Sequence, residues 1–301
     1  MLSIKKYAAI DIGSNAVRLL ISNIIEQKGR PVQFKKNSLV RVPIRLGADV
    51  FIKNQISKEN TQRILDTMLA FKLLMKSHKV VKYKACATSA MRESSNGKAI
   101  VDLVLEHSGL SIDVIGGEEE AAIIAATDLN KYIDPNKTYL YVDVGGGSTE
   151  FTVIDQGKQI ASRSFKIGTV RLLNDMVKNE AWQELREWIA INAQDYDKIS
   201  VIGSGGNINK IFKISRKAMG KPLSYFYMTS YYNTLQTYSY EERITELDLN
   251  QDRADVIIPA MRIYLSAMKW SGAKNIYVPK IALADGIIKS IYYDTVSSNT
   301  Q

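Results

Sequence analysis

The sequence predicts an α/β protein of two similar domains, and three observations support this prediction. Short apolar strands alternate with helical patterns along the chain, which is typical of α/β proteins. An apolar strand that ends in Asp, followed by a Gly/Ser turn and a second strand, occurs twice, at 9–15 and at 141–148. The length of 301 residues suits two domains of roughly 100–200 residues each. We place the domains at 1–127 and 128–301, with the polar stretch 128–137 as the linker.

The first half begins with a predicted hairpin. Residues 7–12 and 17–24 are apolar or β-branched and flank the turn at 13–15, a pattern that favours two antiparallel strands. Ser57 is a suitable N-cap for a long helix, because apolar residues then recur on one face from Ile64 to Met75. The other elements predicted in this half are strands at 32–43, 82–87 and 112–115, a polar loop at 88–96, and helices at 98–107 and 118–129.

The second half repeats this plan. A strand at 139–144 meets the glycine turn at 145–148, and a second strand follows it. The later elements again alternate between apolar strands and helical patterns. We predict strands at 150–154, 159–165, 199–202 and 275–278, a helix that starts at Asn207, and helices at 253–268 and 283–292.

The composition excludes several classes of protein. No apolar run approaches the roughly 18 residues of a membrane span, so no membrane partner is expected. One cysteine, Cys86, and two histidines argue against a disulfide framework, zinc chemistry and a histidine-based triad. A single cysteine and the lack of an apolar leader fit a cytoplasmic protein.

The charge balance favours an anionic partner. Lys and Arg outnumber Asp and Glu by 40 to 31. A lysine-rich surface that keeps the protein soluble is the alternative explanation. The basic residues are scattered and form no recognisable DNA-binding motif, so nucleic acid is not the expected partner.

The turn formed by Gly145, Gly146, Gly147 and Ser148 is the first candidate site. Glycine lets backbone N–H groups approach a phosphate closely, because no Cβ is in the way. Asp143 precedes the turn and is a candidate Mg²⁺ ligand, since Mg²⁺ prefers oxygen ligands. Asp11 holds the equivalent position before the first Gly/Ser turn. The paired motifs predict a cleft that binds phosphate groups from both sides.

Three further segments carry candidate residues. The segment 203–207, with Gly205 and Gly206, follows a strand and opens a helix, a geometry that binds anions but also occurs as a plain tight turn. Three adjacent glutamates occupy 118–120, in the first turn of a predicted helix. Interaction with the helix dipole explains acidic residues there, but three neighbouring carboxylates repel each other, so one of them is a candidate to orient or deprotonate an attacking water. Arg92 is a candidate to counter charge on a transferring phosphoryl group, or a solvent-exposed arginine.

Taken together, these residues resemble the exopolyphosphatase / guanosine pentaphosphate phosphohydrolase family of bacteria. The resemblance extends from about residue 6 to residue 289 and rests on a combination of segments, none of which is specific alone. The segments are 9–20, 87–93, 117–121, 142–150, 203–207 and 253–257.

The resemblance implies a fold of two ribonuclease-H-like domains of the actin, Hsp70 and sugar-kinase superfamily, with a cleft between them. It also implies that the last helix, near 283–301, packs back on the first domain. The implied activity is release of terminal phosphate from inorganic polyphosphate or, alternatively, removal of the 5′ terminal phosphate of guanosine pentaphosphate. The oligomeric state is not implied, and a homodimer is one of the states that the sequence allows.

The resemblance also implies roles for single residues. The family's catalytic glutamate corresponds to Glu120, directly before Ala121. Its metal-linked aspartate corresponds to Asp143, and Glu150, which corresponds to the glutamate that closes the same motif, is a second expected metal ligand. Asp11 is a further metal candidate, and Arg92 is expected to act in catalysis together with Glu120. The expected phosphate-binding residues come from both glycine turns and from the first hairpin, and they are Ser14, Asn15, Arg18, Gly145, Gly146, Gly147, Ser148, Gly205 and Gly206.

Two departures from the family pattern limit what is implied. Long members have an additional helical C-terminal region, which this sequence lacks, so processive hydrolysis of long chains is not implied. An Arg-Glu-Gly segment of many members is Ala284-Asp285-Gly286 here. The remaining alternatives are a kinase of the same superfamily and a sensor that binds an alarmone without turnover.

Overall fold

The computed structural model describes residues 2–125, 127, 134–193, 196 and 198–298. The chain divides into two units, of which the first joins residues 1–127 to 282–301 and the second is residues 128–281. Most of the stretch expected to be a linker, 128–133, lies outside the described residues. Each unit contains one mixed β-sheet with helices packed against it.

The sheet of the first unit has five strands in the order β3-β2-β1-β4-β5. The predicted hairpin is confirmed, because β1 pairs antiparallel with β2, while β4 runs parallel to β1. The strands are β1 (Leu2–Ile12), β2 (Val17–Gln27), β3 (Gln33–Val42), β4 (Lys82–Ala87) and β5 (Asp113–Val114), and the helices are α1 (Leu46–Lys53), α2 (Lys58–Ser77), α3 (Ser89–Glu93), α4 (Gly97–Ser108) and α5 (Gly117–Ala125).

Local sequence explains these elements well. The Ser57 side chain accepts a hydrogen bond from the backbone N–H of Asn60, and a cap of this kind contributes about 1 kcal/mol to helix stability. The apolar stripe of α2 from Ile64 to Met75 is buried, as its spacing predicts. Gly109 ends α4 in the left-handed conformation, with φ of 71°.

The sheet of the second unit repeats the strand order of the first. Its order is β10-β11-β9-β6-β7-β8, so that β8-β7-β6-β9-β11 corresponds to β3-β2-β1-β4-β5. The elements are β6 (Thr138–Val144), β7 (Thr149–Asp155), β8 (Lys158–Phe165), α6 (Thr169–Leu173), α7 (Asn179–Ala193), β9 (Ile199–Ser204), α8 (Gly206–Ile214), β10 (Leu223–Ser224), α9 (Tyr225–Gln236), α10 (Tyr240–Thr245), α11 (Gln251–Ala254), α12 (Ile257–Ser271) and β11 (Asn275–Tyr277).

The core of the second unit lies between its central strands and α12. Val142 on β6 and Val201 on β9 are fully buried, as is Tyr264 on α12. Full burial of an aliphatic side chain of this size contributes about 1.5–3 kcal/mol, so these strands are firmly held. They fix the positions of the loops that follow their carboxyl ends.

The last helix, α13 (Leu283–Ser298), belongs to the first unit. The Asp285 carboxylate lies 2.8 Å from the Lys36 Nζ of β3. The ring of Tyr292 meets the ring of Phe34 edge to face, and its hydroxyl donates to Glu26 Oε1 at 3.0 Å. The helix extends six residues beyond the predicted end at 292.

Two predicted elements were wrong. The segment 88–96 was predicted as a loop but contains the helix α3, whose Ala90 and Met91 are buried. The helix predicted at 253–268 is two helices that are separated at residues 255–256. Pro259 explains this break, because its ring would clash with the carbonyl of Asp255 in a continuous helix. None of the helices in the described ranges is long and apolar enough to cross a bilayer.

The buried thiol of Cys86 on β4 gives a test of the first sheet. Burial raises the pKa of this thiol to about 12. Since the thiolate is the reactive form, we expect dithiobis(nitrobenzoate) to leave the folded protein unmodified at pH 8. In denaturant the same chain should release one equivalent of chromophore. Rapid labelling without denaturant would show that β4 is not buried in this sheet.

Candidate functional site

The candidate site of the second unit lies where the parallel strands β6 and β9 end. Open α/β sheets bind ligands outside the carboxyl ends of their strands. Asp143 on β6 is the register partner of Ser204 on β9 and of Glu150 on β7. The register therefore brings together two predicted metal residues and the start of the predicted anion-binding turn.

The loop after β6 is held by the segment that contains α6. The backbone N–H of Thr169 donates to the Gly145 carbonyl at 3.0 Å, and that of Val170 donates to the Gly146 carbonyl at 2.9 Å. Arg171 completes the set, because its Nε donates to the Gly147 carbonyl at 2.7 Å. The first N–H groups of a helix have no partner within it, and here the loop carbonyls provide partners.

These three hydrogen bonds determine where the loop N–H groups point. In a trans peptide unit the C=O and N–H bonds point in opposite directions, and no described peptide bond is cis. With the three carbonyls directed toward α6, the N–H groups of Gly146, Gly147 and Ser148 point away from it. Successive N–H groups on one side of a loop form an anion-binding concavity. The loop can therefore bind a phosphate through its backbone.

Gly168 is required for this close approach. A Cβ added to Gly168 would lie 2.3 Å from the Gly146 carbonyl oxygen and 2.5 Å from two loop carbonyl carbons. No side chain fits at that distance, so any other residue would displace the loop. Neither Gly168 nor Arg171 was predicted as a site residue, because a glycine before a helix and an arginine within it are ordinary local features.

Glu150 is a buried carboxylate next to the loop. Its Oε1 accepts hydrogen bonds from the hydroxyls of Ser148 at 2.8 Å and Ser164 at 2.9 Å. Asp143, its partner across the β6–β7 pair, is half-buried. Residues directly opposite each other in an antiparallel pair lie on the same face of the sheet. The two carboxylates thus form a local negative site.

Two tyrosines lie beside Asp143. Burial, and next the charge of Asp143, raises the pKa of Tyr141 and Tyr264 well above the usual value. Both phenols therefore stay protonated at neutral pH, and the Tyr264 hydroxyl donates to the Ser204 carbonyl. Because both phenols are neutral, they add no negative charge to that of the neighbouring carboxylates.

The turn that leads into α8 comes close to Asp143. Gly205 has φ of 111°, and a Cβ there would lie 3.5 Å from Asp143 Oδ1. Gly206 begins α8, whose nine residues give its N-terminus the partial positive charge of a helix dipole. Gly205 and Gly206 thus occupy the strand-to-helix geometry that the sequence predicted.

The first unit has the same hairpin with a different charge pair. Asp11 on β1 lies opposite Arg18 on β2, and Arg18 Nη1 donates to Asp11 Oδ2 at 3.0 Å. Burial raises the pKa of Asp11, and the neighbouring guanidinium of Arg18 opposes this shift. Asp11 is therefore the partner of a cation, whereas Asp143 has a second carboxylate opposite it.

The first turn of this unit is held by two neighbouring segments. The hydroxyls of Ser14 and Ser89 lie 2.9 Å apart and are buried, which connects the turn to α3. The backbone carbonyls of Ser14 and Asn15 accept the N–H groups of Gly47 and Arg45. The contact to α3 was missed in the sequence, since the segment 88–96 was predicted as a loop.

Burial separates Glu120 from the other two glutamates of its cluster. Glu120 on α5 is 9% exposed, whereas Glu118 and Glu119 are exposed to solvent. Arg92 Nη1 donates to the Ile115 carbonyl at 2.6 Å, which connects α3 to the segment that leads into α5. The structure thus places a buried carboxylate and an arginine at the carboxyl ends of β4 and β5.

The described residues contain no group of three or more His, Cys, Asp and Glu side chains arranged to hold a metal ion. Mg²⁺ does not require such a group, because it is usually bound by one or two carboxylates together with water and substrate phosphates. The pair of Asp143 and Glu150 fits that donor set.

Comparisons with known proteins agree on one family. A family model described as the Ppx/GppA phosphatase family matches residues 38–294. A guanosine-5'-triphosphate,3'-diphosphate pyrophosphatase of Aliivibrio fischeri is 25% identical over 315 residues, which cover 98% of this chain and 61% of that protein. Exopolyphosphatase 2 of Mycobacterium tuberculosis is 28% identical over 176 residues, which cover 57% of this chain and 54% of that protein. This chain thus spans less than two thirds of the length of each of these two relatives.

A solved structure shows the same fold. The crystal structure of an exopolyphosphatase from Cytophaga hutchinsonii matches with a TM-score of 0.81 at 22% identity, over 96% of this chain and 98% of that one. The two-domain α/β fold of the actin type, which the sequence resemblance implied, is confirmed.

Substitution of Gly168 tests whether α6 shapes the loop. Gly168→Ala should lower the free energy of unfolding by about 1–3 kcal/mol through overpacking, and should also weaken pyrophosphate binding by the loop amides. Gly220→Ala is the control, because a Cβ there meets nothing within 4 Å and only the positive φ is strained. Denaturant unfolding and calorimetric titration measure the two effects. Wild-type pyrophosphate affinity in Gly168→Ala would contradict this account.

Proposed function

Because the chain belongs to the Ppx/GppA phosphatase family, we propose that it hydrolyses phosphoanhydride bonds and releases the terminal phosphate of inorganic polyphosphate. The observation that carries the proposal is that the α6 segment binds the three carbonyls from Gly145 to Gly147, so that the N–H groups of Gly146 to Ser148 are turned away from α6. Such donors suit the oxygen atoms of a terminal phosphate. Phosphoryl transfer depends mostly on positioning and charge stabilisation, which a loop held in place by α6 provides.

Guanosine pentaphosphate is the second candidate substrate. One relative that matches nearly the whole chain is named as a guanosine-5'-triphosphate,3'-diphosphate pyrophosphatase. This nucleotide also presents a terminal phosphate on a polyanion, so the loop chemistry suits both substrates. Phosphate release from polyphosphates of graded length and from guanosine pentaphosphate, with matched enzyme and metal concentrations, decides between them. Release from neither substrate would contradict the proposal, and phosphate transfer to an added acceptor would favour a kinase.

Glu120 is the proposed general base. It is the buried member of its cluster, and it opens α5 beside the Ile115 carbonyl that Arg92 binds. A carboxylate in this environment can take a proton from water as the water attacks the terminal phosphorus. The bond to the bridging oxygen breaks in the same displacement, and the shortened chain leaves.

The phosphate-binding roles fall to both hairpins. In the second unit, the backbone amides of Gly146, Gly147 and Ser148 are the proposed donors to the phosphate, and the Ser148 hydroxyl, which donates to Glu150 Oε1 here, would have to turn to join them. The N-terminus of α8 at Gly206 favours further negative charge. In the first unit, Ser14, Asn15 and Arg18 are the proposed phosphate ligands. Arg18 also keeps its ion pair with Asp11 in the present structure.

Mg²⁺ is the proposed cofactor, and Asp143 and Glu150 are its proposed ligands. The observation that supports this choice is their register across β6 and β7, which places both side chains on one face of the sheet, since oxygen donors are what Mg²⁺ prefers. When bound, the ion would neutralise substrate charge that otherwise repels an attacking oxygen. Asp11 is a weaker candidate, because Arg18 already balances its charge.

The Glu120 assignment makes a specific kinetic prediction. Glu120→Gln keeps the size of the side chain and removes its basicity, so kcat should fall by about 10²–10⁴-fold with little change in KM. Glu118→Gln and Glu119→Gln are the matched controls, since both side chains are exposed on the same helical turn. Steady-state phosphate release measures the effect. If Glu119→Gln abolishes turnover and Glu120→Gln does not, the wrong glutamate has been assigned.

The metal assignment makes another prediction. Excess chelator should abolish phosphate release, and added Mg²⁺ should restore it. Asp143→Asn should raise the Mg²⁺ concentration that gives half-maximal activity, because one anionic ligand is lost. Asp155→Asn, at the far end of β7, is a control that should not alter this concentration. Undiminished activity in chelator would overturn the assignment.

A further inference from the structure

The phenol of Tyr141 is a buried polar group without a hydrogen-bond partner among the described residues. Tyr141 lies on β6, two residues before Asp143, and is 2% exposed. No described atom forms a hydrogen bond with its Oη atom. Burying a hydroxyl without a partner opposes folding, and most buried polar side chains have one. This exception therefore calls for an explanation in terms of function.

The register of the sheet places this phenol beside the proposed metal ligands. Residues two apart on a strand lie on the same face, so Tyr141 shares a face with Asp143. The strand partners of Asp143 on that face are Glu150 on β7 and Ser204 on β9. Burial, then the charge of Asp143 and, more weakly, that of Glu150 raise the pKa of Tyr141, which is consistent with a short separation from both carboxylates.

Tyr141 and Asp143 make no direct hydrogen bond. Residues two apart on a strand are separated by about 6.5–7 Å along it, and a tyrosine ring reaches well beyond a carboxylate. One water molecule can bridge two polar groups across such a gap. Mg²⁺ keeps several of its water molecules when only one or two carboxylates bind it, so a water of the ion can occupy this place.

Ser204 can accept the hydrogen bond that the Tyr141 hydroxyl donates. The Ser204 hydroxyl itself donates to the Ile281 carbonyl at 2.9 Å, so its position is fixed. The Ser204 side chain also lowers the pKa of Tyr141, which is consistent with a position next to the phenol. A hydroxyl donates once and accepts twice, so Ser204 Oγ keeps acceptor capacity. Tyr141 can therefore donate to Ser204 while its own oxygen accepts from a water.

We propose that Tyr141 is a positioning residue, whose Oη accepts a hydrogen bond from a water of the Mg²⁺ shell on Asp143 and whose hydroxyl donates to Ser204 Oγ. The proposal rests on the Mg²⁺ site proposed above. A metal-bound water is a strong donor, and a neutral phenol is an acceptor that adds no charge to the site. Groups that bind the shell of a metal ion fix its ligands, and their loss typically weakens metal binding about 10–100-fold.

Tyr141→Phe tests the proposal, because it removes the hydroxyl and keeps the ring. The measurement is equilibrium binding of Mn²⁺ to the intact protein with saturating methylenediphosphonate, followed by electron paramagnetic resonance of the free ion. Mn²⁺ takes the same oxygen ligands as Mg²⁺, and this diphosphonate has no bridging oxygen to hydrolyse. The Mn²⁺ dissociation constant should rise about tenfold. The denaturant midpoint in chelator should not fall, since no hydrogen bond within the described residues is lost.

Tyr139→Phe is the matched control. It removes a hydroxyl from the same face of the same strand, and Tyr139 is also 2% exposed. The Tyr139 hydroxyl accepts a hydrogen bond from the backbone N–H of Asp134 at 3.1 Å. This variant should therefore lower the denaturant midpoint and leave Mn²⁺ binding unchanged. Opposite patterns in the two variants separate a metal-linked hydroxyl from a structural one.

Ser204→Ala gives an independent measurement of the same hydrogen-bond chain. If Tyr141 acts together with Ser204, the two substitutions are not additive. In the Ser204→Ala background, Tyr141→Phe should raise the Mn²⁺ dissociation constant by less than about threefold. A full tenfold effect in that background would show that Ser204 is not the acceptor.

Two outcomes would overturn the proposal alone. The first is wild-type Mn²⁺ binding by Tyr141→Phe, and the second is weaker binding of the diphosphonate by this variant in chelator, which would show that the phenol contacts phosphate. Absence of Mn²⁺ binding by the wild-type protein would refute the metal site and this proposal with it. Phosphate release is measured separately, and its absence beside normal Mn²⁺ binding would refute only the proposed hydrolysis.

Discussion

The contact between α6 and the glycine loop is the interaction on which the rest of the site depends. Three consecutive loop carbonyls are bound by two backbone N–H groups and by the Arg171 side chain. A neutral hydrogen bond contributes about 1 kcal/mol and one from a charged donor about 1.5–3 kcal/mol, so the loop conformation is fixed before any ligand arrives. An anion that binds there encounters N–H groups that need little reorganisation.

The two units contain the same hairpin but differ in the charge of the residue that lies opposite the aspartate. In each, an aspartate is the penultimate residue of the first strand and lies opposite the second residue of the next strand. That residue is Arg18 in the first unit and Glu150 in the second. The first pair is a salt bridge, while the second places two carboxylates on one face of the sheet next to a loop that favours anions. A divalent cation is the simplest way to let carboxylates and phosphates share the second site.

Much of this organisation could be predicted from the sequence, because it rests on local signals. Both hairpins, the Ser57 cap and the glycine turns were identified, since alternation, capping side chains and glycine each have a direct backbone cause. The helix α3 was missed because polar residues at 88–96 suggested a loop, although Ala90 and Met91 are buried. Arg171 was missed for a different reason. Its role depends on a carbonyl 24 positions earlier in the chain, and no local pattern reports such a contact.

The placement of α13 has a consequence for how the chain folds during synthesis. The second unit is continuous, so all of its strands are available once residue 281 has been made. The first unit, in contrast, needs α13 to cover β1 and α5. Until the ribosome releases this helix, the apolar surface that α13 buries stays exposed, as on any incompletely folded domain. The N-terminal sheet is therefore synthesised first and completed last, and a nascent chain that stalls before residue 283 presents this surface to chaperones.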